Sequence, residues 1–434
     1  MSTHSSPTNG RDPAGNRADT PSNQWPETPS YWQFVPVGDY QVPALPARGA
    51  MSEAWTQFKR ALRRIDEESL QPARKEAQLR ALSEVRLSHL VPPVDPNDPA
   101  DALDGALYDW MTGHDERPVR FVVGQPHGCY PQLLPFWARR HGARLIDPPA
   151  PETVLEGDLG VLDRFEVDRP GTRAGNGGLW VIPDLAHWYL RHPEGLRLVR
   201  ALLARAETGE LGRGVIGCDS WAWAYLGHLW PMPHHDALTA QGFDGTRLTR
   251  LLFHQIERQP HRRVHFRNAA NGQDILAVPS NGNGNGVTAH PELQRLAAHC
   301  RGNPGTALTY WRESLRTEPD DGGVTAVEGE QRNDDIFDEE DVWVTNQLHE
   351  PILPNETGED VALVLHALLL HNGLATRWLA ELLPLARDVS LAILLRLTRA
   401  GLVTRRGDRH IVTALGYQSV RSLLQRRDYL TDSF

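Results

Sequence analysis

Three stretches of this 434-residue sequence predict an α/β protein with a parallel sheet at its centre and a winged helix at its C-terminal end. Within Val119–Pro149, an apolar run (Val119–Val123) passes through a Gly-containing turn (Gly124–Pro131) into a helix (Gln132–His141) and a second strand (Ala143–Ile146). A short apolar run, a glycine-bearing turn and an amphipathic helix open a parallel βα unit. Two more apolar strands, each closing on an acid, lie at Gly178–Asp184 and Gly214–Asp219, with the amphipathic helix Gly195–Ala206 between them. From Glu359 onward, three helices, a two-stranded wing and a last helix follow in winged-helix order.

Composition bounds the rest. Hydrophobic residues make up 40% of the chain and charged residues 23%, ordinary values for a soluble protein, and the length allows two or three domains. A net charge of −10 gives no general attraction to nucleic acid, so such a contact needs a local basic face. Cys129, Cys218 and Cys300 are too widely spaced for a disulfide framework or a zinc motif and are expected as buried thiols of a cytoplasmic protein. No apolar run approaches the ~18–20 residues of a membrane span, so no membrane partner is expected, and the polar N-terminus does not read as a signal peptide.

Taken in order, residues 1–50 read as a disordered tail rich in Ser, Thr, Pro, Asn and Gly. Within that tail lies a docking segment, Tyr31, Trp32 and Phe34, that packs on the parent fold or on a partner. Residues 51–115 read as helical: Trp55, Phe58, Leu62 and Ile65, then Leu79, Leu82 and Val85, recur at helical spacing on either side of Gln71-Pro72. Residues 116–260 form the α/β core, and Trp221–Leu226 begins a helix with an aromatic packing face. Residues 261–317 hold a low-complexity insert, Asn281–Gly286, and a helical pair broken at Gly302-Asn303-Pro304. Residues 318–358 are acidic and read as a solvated linker, and 359–434 as the winged helix. The adjacent His234 and His235 diverge on a helix and lack a third ligand, so no metal site is expected.

The turn after the first core strand carries the most chemistry. A working phosphate loop reads Gly-x-x-x-x-Gly-Lys-Ser/Thr, with Lys on the β/γ-phosphates and the hydroxyl on magnesium. The turn holds Gly124, His127 and Gly128, but in that register Tyr130 stands where Lys belongs. Pro131 stands on the hydroxyl position and removes a backbone donor as well. Lys59 and Lys75 are the sole lysines of the sequence, so no lysine in the core replaces the missing one. The strand ending at Asp184 is Walker-B-like, yet Pro183 takes the first acidic position and a lone Asp there is also a common helix N-cap.

Core and tail together look like an AAA+/STAND-type P-loop ATPase over about residues 100–430. The carriers are the loop Gly124–Leu134, the strand ending at Asp184, the strand ending at Cys218-Asp219-Ser220, and Gly302-Asn303-Pro304. The resemblance implies a P-loop NTPase-like parallel sheet core, a helical lid and a C-terminal winged helix. It also implies that Asp219 ends the sensor strand and that Pro304 would lie against an adenine. With Tyr130, Pro131 and Pro183 it implies a pseudo-ATPase, with no cofactor required and weak ATP or ADP binding left open.

The leading expectation is therefore a non-hydrolysing regulatory or scaffold protein, its partner being another protein, with an active ATPase or a second copy as candidates. The alternative is a DNA-binding regulator. Val361–Phe434 holds ten Arg against five acids, and Arg387, Arg396, Arg405, Arg406 and Arg409 are placed to reach phosphates. Against that, the third helix of this region carries Leu391, Ile393, Leu394, Leu395 and Leu397, which leaves few polar positions to read bases. A third class, acid–base chemistry by His127, Tyr130 and Asp184, needs only that they share a pocket.

Overall fold

The structure, a computed structural model, describes residues 31–44, 78–128, 130–165, 178–233, 236–257, 262–276, 289–319, 338–354 and 358–434. The first strand is β1 (Phe34–Pro36), followed by β2 (Arg80–Ala81) and the helices α1 (Glu84–Leu90) and α2 (Asn97–Met111). The core then runs β3 (Val119–Gly124), α3 (Tyr130–Arg140), β4 (Arg144–Leu145), α4 (Pro151–Glu156), β5 (Trp180–Ile182) and α5 (Arg197–Glu207). It continues through β6 (Gly214–Asp219), α6 (Ser220–Leu226), β7 (Leu238–Ala240) and α7 (Gly245–Glu257).

Strands β3 and β6 are buried at every position, as expected of central strands in a parallel sheet covered on both faces. The sheet order is β1-β7-β3-β6-β5-β4. Strands β7, β3, β6, β5 and β4 are parallel, and β1 closes one edge antiparallel to β7. The period of two divides the two central strands between two cores. Val122 and Val215 face Leu103, Leu107 and Trp110 of α2 and Leu133, Leu134 and Trp137 of α3. Phe121, Val123, Ile216 and Cys218 face α5, α6 and the C-terminal domain.

A second sheet, ordered β2-β9-β10-β8, is built from β8 (Arg262–Asn268), β9 (Leu315–Thr317) and β10 (Asp338–Val344) together with β2. It packs with the lid helices α8 (Pro291–His299) and α9 (Pro304–Ser314) and with α7 around Phe266, Trp311, Leu315, Val342 and Val344. Two expectations fail here. Arg80–Ala81, expected within a helix, is a sheet-edge strand, and the helix starts only at Glu84, behind a Ser83 cap that accepts the Arg86 N–H. The acidic stretch 318–358, expected as a linker, contains β10. Its acids are met by arginines: Asp341 accepts from Arg267 Nε at 2.6 Å, and Glu340 pairs with Arg86.

The C-terminal region runs α10 (Glu359–Leu370), β11 (Leu374–Ala375), α11 (Thr376–Leu382), α12 (Arg387–Arg399), β12 (Val403–Arg406), β13 (Arg409–Val412) and α13 (Tyr417–Arg426). β13 pairs antiparallel with both β11 and β12. Its apolar residues Val361, Leu365, Leu368, Leu394 and Leu424 belong to the same hydrophobic cluster as Ile182, Ile216 and Trp221 of the central sheet. The arm 31–36, expected in a disordered tail, is held on the parent fold: Phe34 pairs with Ala240, and Trp32 is buried against Phe243. The helices expected over Trp55–Gln71, the insert Asn281–Gly286, the His234-His235 pair and Cys129 lie outside the described residues. The thiols of Cys218 and Cys300 are free and buried.

Candidate functional site

Ligands of open α/β sheets bind at the carboxyl ends of the strands, and here that edge is closed by side chains of the chain itself. Beyond β3, Gln125-Pro126-His127-Gly128 forms a tight turn in which the Gly128 N–H donates to Gln125 O at 3.0 Å. Pro126 at the second position and a positive φ of 63° at His127 give it type II character. His127 thus holds a conformation that favours Gly or Asn and carries local strain. Pro126 and Pro131 have no N–H and that of Gly128 is turned inward, so the loop keeps few donors with which to cradle a phosphate.

Tyr130 opens α3 and is buried. Its ring lies so close to Gly124 that a Cβ there would overlap it. Burial, with the adjacent Asp184 and Asp219 carboxylates, pushes its pKa well above the usual tyrosine value, so it stays a neutral phenol. The aromatic ring occupies the ground over which a loop lysine would reach.

The two acids are spent on structure. Asp184 Oδ1 accepts from the Ala186 N–H at 2.9 Å, capping the short 3-10 turn Leu185–His187, and from the Asp219 N–H at 3.2 Å. Its Oδ2 accepts from Asn372 Nδ2 at 2.8 Å, at the turn that ends α10. Asp219 Oδ1 caps α6 through the Trp221 N–H at 2.9 Å. Burial, then the neighbouring Asp184, pushes the Asp219 pKa well up, which favours the neutral carboxyl. Such a pair does not suit magnesium, which needs ionised oxygens with free lone pairs. Among the described residues no group of three or more His, Cys, Asp and Glu is placed to hold a metal ion.

The lid and arm seal the same edge. Asn303 caps α9 by accepting from the Gly305 and Thr306 N–H groups, while its Nδ2 donates to Pro126 O at 2.7 Å. Gly305 lies so close to the His127 carbonyl that a Cβ would overlap it. Between loop, lid and arm remains a cavity of about 40 Å³, lined by Trp32, Phe34, Gly124, Gly128, Tyr130 and Pro304 among others. A cavity of roughly 150 Å³ is what holds a benzene, so this space is well short of a purine. The C-terminal tail adds a second seal: Ser220 Oγ donates to Asp432 Oδ2 at 2.6 Å, Arg421 pairs with Asp432 at 3.0 Å, and Trp221 Nε1 donates to the Tyr417 hydroxyl at 2.9 Å.

Of the residues singled out in the sequence, Gly124, Gly128, Tyr130 and Pro304 meet at one cavity. Asp184 and Asp219 adjoin Tyr130. His127 instead faces the C-terminal domain: its ring lies 6.1 Å from that of Tyr417, and burial, reinforced by Arg406, holds its pKa down at about 4. Arg387, Arg396, Arg405 and Arg406 are exposed. Arg409 is not the surface contact expected of it: Nε donates to Gly373 O at 3.0 Å and Nη2 to His371 O at 2.9 Å, tying the wing to the end of α10. Tyr31, Trp32 and Phe34 serve the parent fold. Asn372, Asp432 and Asn303 were the residues sequence reasoning missed as connectors; Asn303, ahead of a proline, and Asn372, ahead of a glycine, carried a signal only of a cap.

No family model matches this chain, and no curated protein matches it. Among solved structures it is similar to a variant of RuvB from Thermotoga maritima, at 13% identity and a TM-score of 0.30, over 79% of this chain and 99% of that one. It is also similar to ORC2 of Aeropyrum pernix in its ADPNP–ADP complexes, at 13% identity and a TM-score of 0.29, over 78% of this chain and 98% of that one.

Proposed function

We propose that this chain is a non-hydrolysing regulatory or scaffold protein of the cytoplasm, built on an ATPase-like core and acting through contacts with other proteins. The observation that carries the reading is the Tyr130 ring seated on Gly124 beside Asp184 and Asp219. Phosphoryl transfer depends on positioning and charge neutralisation. The loop has exchanged the lysine for a phenol and the hydroxyl for a proline, and the strand-end acid holds the C-terminal domain instead of a metal. The space that would change shape with nucleotide state is filled, so core, lid and winged helix act as one rigid body offering surfaces. An active ATPase and a second copy of this chain are the candidate partners.

Thermal unfolding with and without Mg-ATP or ADP tests this, because a ligand bound by the native state stabilises it by about 2.7 kcal/mol at a hundredfold excess over Kd. The expected outcome is no shift of Tm at millimolar nucleotide. An upward shift that saturates with nucleotide would overturn the reading. The second reading, a DNA-binding regulator, draws on the exposed Arg387, Arg396, Arg405 and Arg406. It requires a gel shift with duplex DNA that weakens steeply with salt.

A further inference from the structure

We propose that the outward face of α12, together with the wing, is a docking surface for an acidic amphipathic helix of a partner protein. This rests on the protein-contact reading above and names the partner's chemistry. α12 buries Ser390, Ile393, Leu394 and Leu397. On its opposite side, beside the exposed Asp388, Arg396 and Arg399, Leu391 is 45% exposed, Leu395 52% and Val389 38%, three of the six large hydrophobic side chains standing out from the described surface. Leu391 and Leu395 are four residues apart and therefore stack on one stripe, with the exposed Ala392 beside them. Apolar side chains that gather into one exposed patch rimmed by charge mark contact sites, whereas those standing singly do not.

Charge fixes what the contact takes. Arg387, Arg396 and Arg399 flank the leucine stripe on the helix, and Arg405 and Arg406 stand on β12, joined to α12 by the tight turn at Gly401. The exposed acids among residues 387–408 are Asp388 and Asp408. The patch is thus basic on a chain whose net charge is −10. A DNA duplex would satisfy the arginines, but Leu391, Ala392 and Leu395 on the same side can neither donate to nor accept from a base edge. An amphipathic helix satisfies both halves, setting its apolar stripe on Leu391 and Leu395 and its flanking carboxylates on the arginines.

The test uses the full chain and three labelled probes followed by fluorescence anisotropy. The first is a model helix with Leu at i, i+3, i+4 and i+7 and Glu on its flanks, the second the same composition scrambled so that the leucines share no face, and the third a duplex DNA. The first probe should bind, and the scrambled one about tenfold more weakly. Leu391→Ser with Leu395→Ser, and separately Arg405→Glu with Arg406→Glu, should each weaken the first probe about tenfold. Both pairs are exposed, so Tm should stay near the parent value and report that folding is intact. No binding of the amphipathic probe up to millimolar concentration overturns the proposal. So does binding indifferent to the leucine substitutions, or duplex binding that is tighter and depends on the arginines alone. The nucleotide titration is independent: a Tm shift with ATP alongside intact probe binding removes the dead-pocket reading and leaves this surface standing.

Discussion

Asp219 caps α6 with one carboxylate oxygen, while the other, fully buried, has no hydrogen-bond partner among the described residues. Burial and the nearby Asp184 raise its pKa well above the usual value. The folded chain keeps a proton there that the unfolded chain releases near pH ~3.9. The group's contribution to stability is therefore complete below that pH and is lost as pH rises toward the folded pKa. Asp219→Asn keeps the capping oxygen and removes the titration. It should raise stability at pH 7 by about 1–3 kcal/mol, the range for relieving an ill-satisfied buried polar group, and the gain should shrink toward pH 4. Denaturant midpoints of parent and variant at the two pH values check this. A variant less stable at pH 7 would mean that the carboxyl is ionised and usefully paired.

Helix α10 ends in a motif that the sequence shows and a contact that it hides. Gly373 N–H donates to Leu368 O at 2.7 Å and Asn372 N–H to Leu369 O at 3.2 Å, with φ values of 93° and 46°, the paired bonds of a Schellman end. His371-Asn372-Gly373 after an apolar helix is legible as that stop; that the Asn372 amide also binds Asp184, 188 positions away in sequence, is not. Asn372→Gly keeps the left-handed turn and should cost about 1.5–3 kcal/mol for a bond to a carboxylate. Asn372→Ala should cost about 1–2 kcal/mol more for the forced backbone. Equal costs for Gly and Ala would show that the turn is unstrained. The same contrast explains the other elements. β3, β6 and α5 were readable because their periodicity is their own. β10 was not, because Asp338–Asp341 look solvated until Arg267 and Arg86 are brought opposite two of them by the fold. β2, two residues at a sheet edge, is too short to carry a period.

At the scale of the whole molecule, the absence of a lysine and a hydroxyl from the loop could be read from Tyr130 and Pro131, but what closes the space beside it comes from lid, arm and C-terminal tail, three segments far apart in sequence. Their union leaves several histidines inside. Burial pushes His127 and His366 down to about 4 and His290 and His371 down to about 3, and it lowers His187 as well. For a base whose folded pKa lies below its unfolded value of ~6.5, stability is complete above that value and falls as pH drops toward the folded pKa. Each such group contributes a slope of about 1.4 kcal/mol per pH unit. Asp219 and His265, the latter raised by its bond to Asp274, oppose this trend, having the opposite sign, and Asp115, held low by Arg117, withdraws its share only below the usual carboxylate range. The window from about pH 6.5 to about pH 4 therefore reports the histidines, and Tm should fall steeply across it. His371 decides whether the domain joint is responsible. It accepts the Arg191 N–H through Nε2 and lines, with His187, Trp378 and Arg409, a cavity of about 230 Å³ between the core and the C-terminal domain. His371→Gln retains an acceptor but cannot titrate, so its Tm should decline less steeply, by about one proton's worth of slope. A Tm indifferent to pH between 6.5 and 4.5, or a His371→Gln slope equal to the parent's, would mean that the joint opens to water and the imidazole charges without cost.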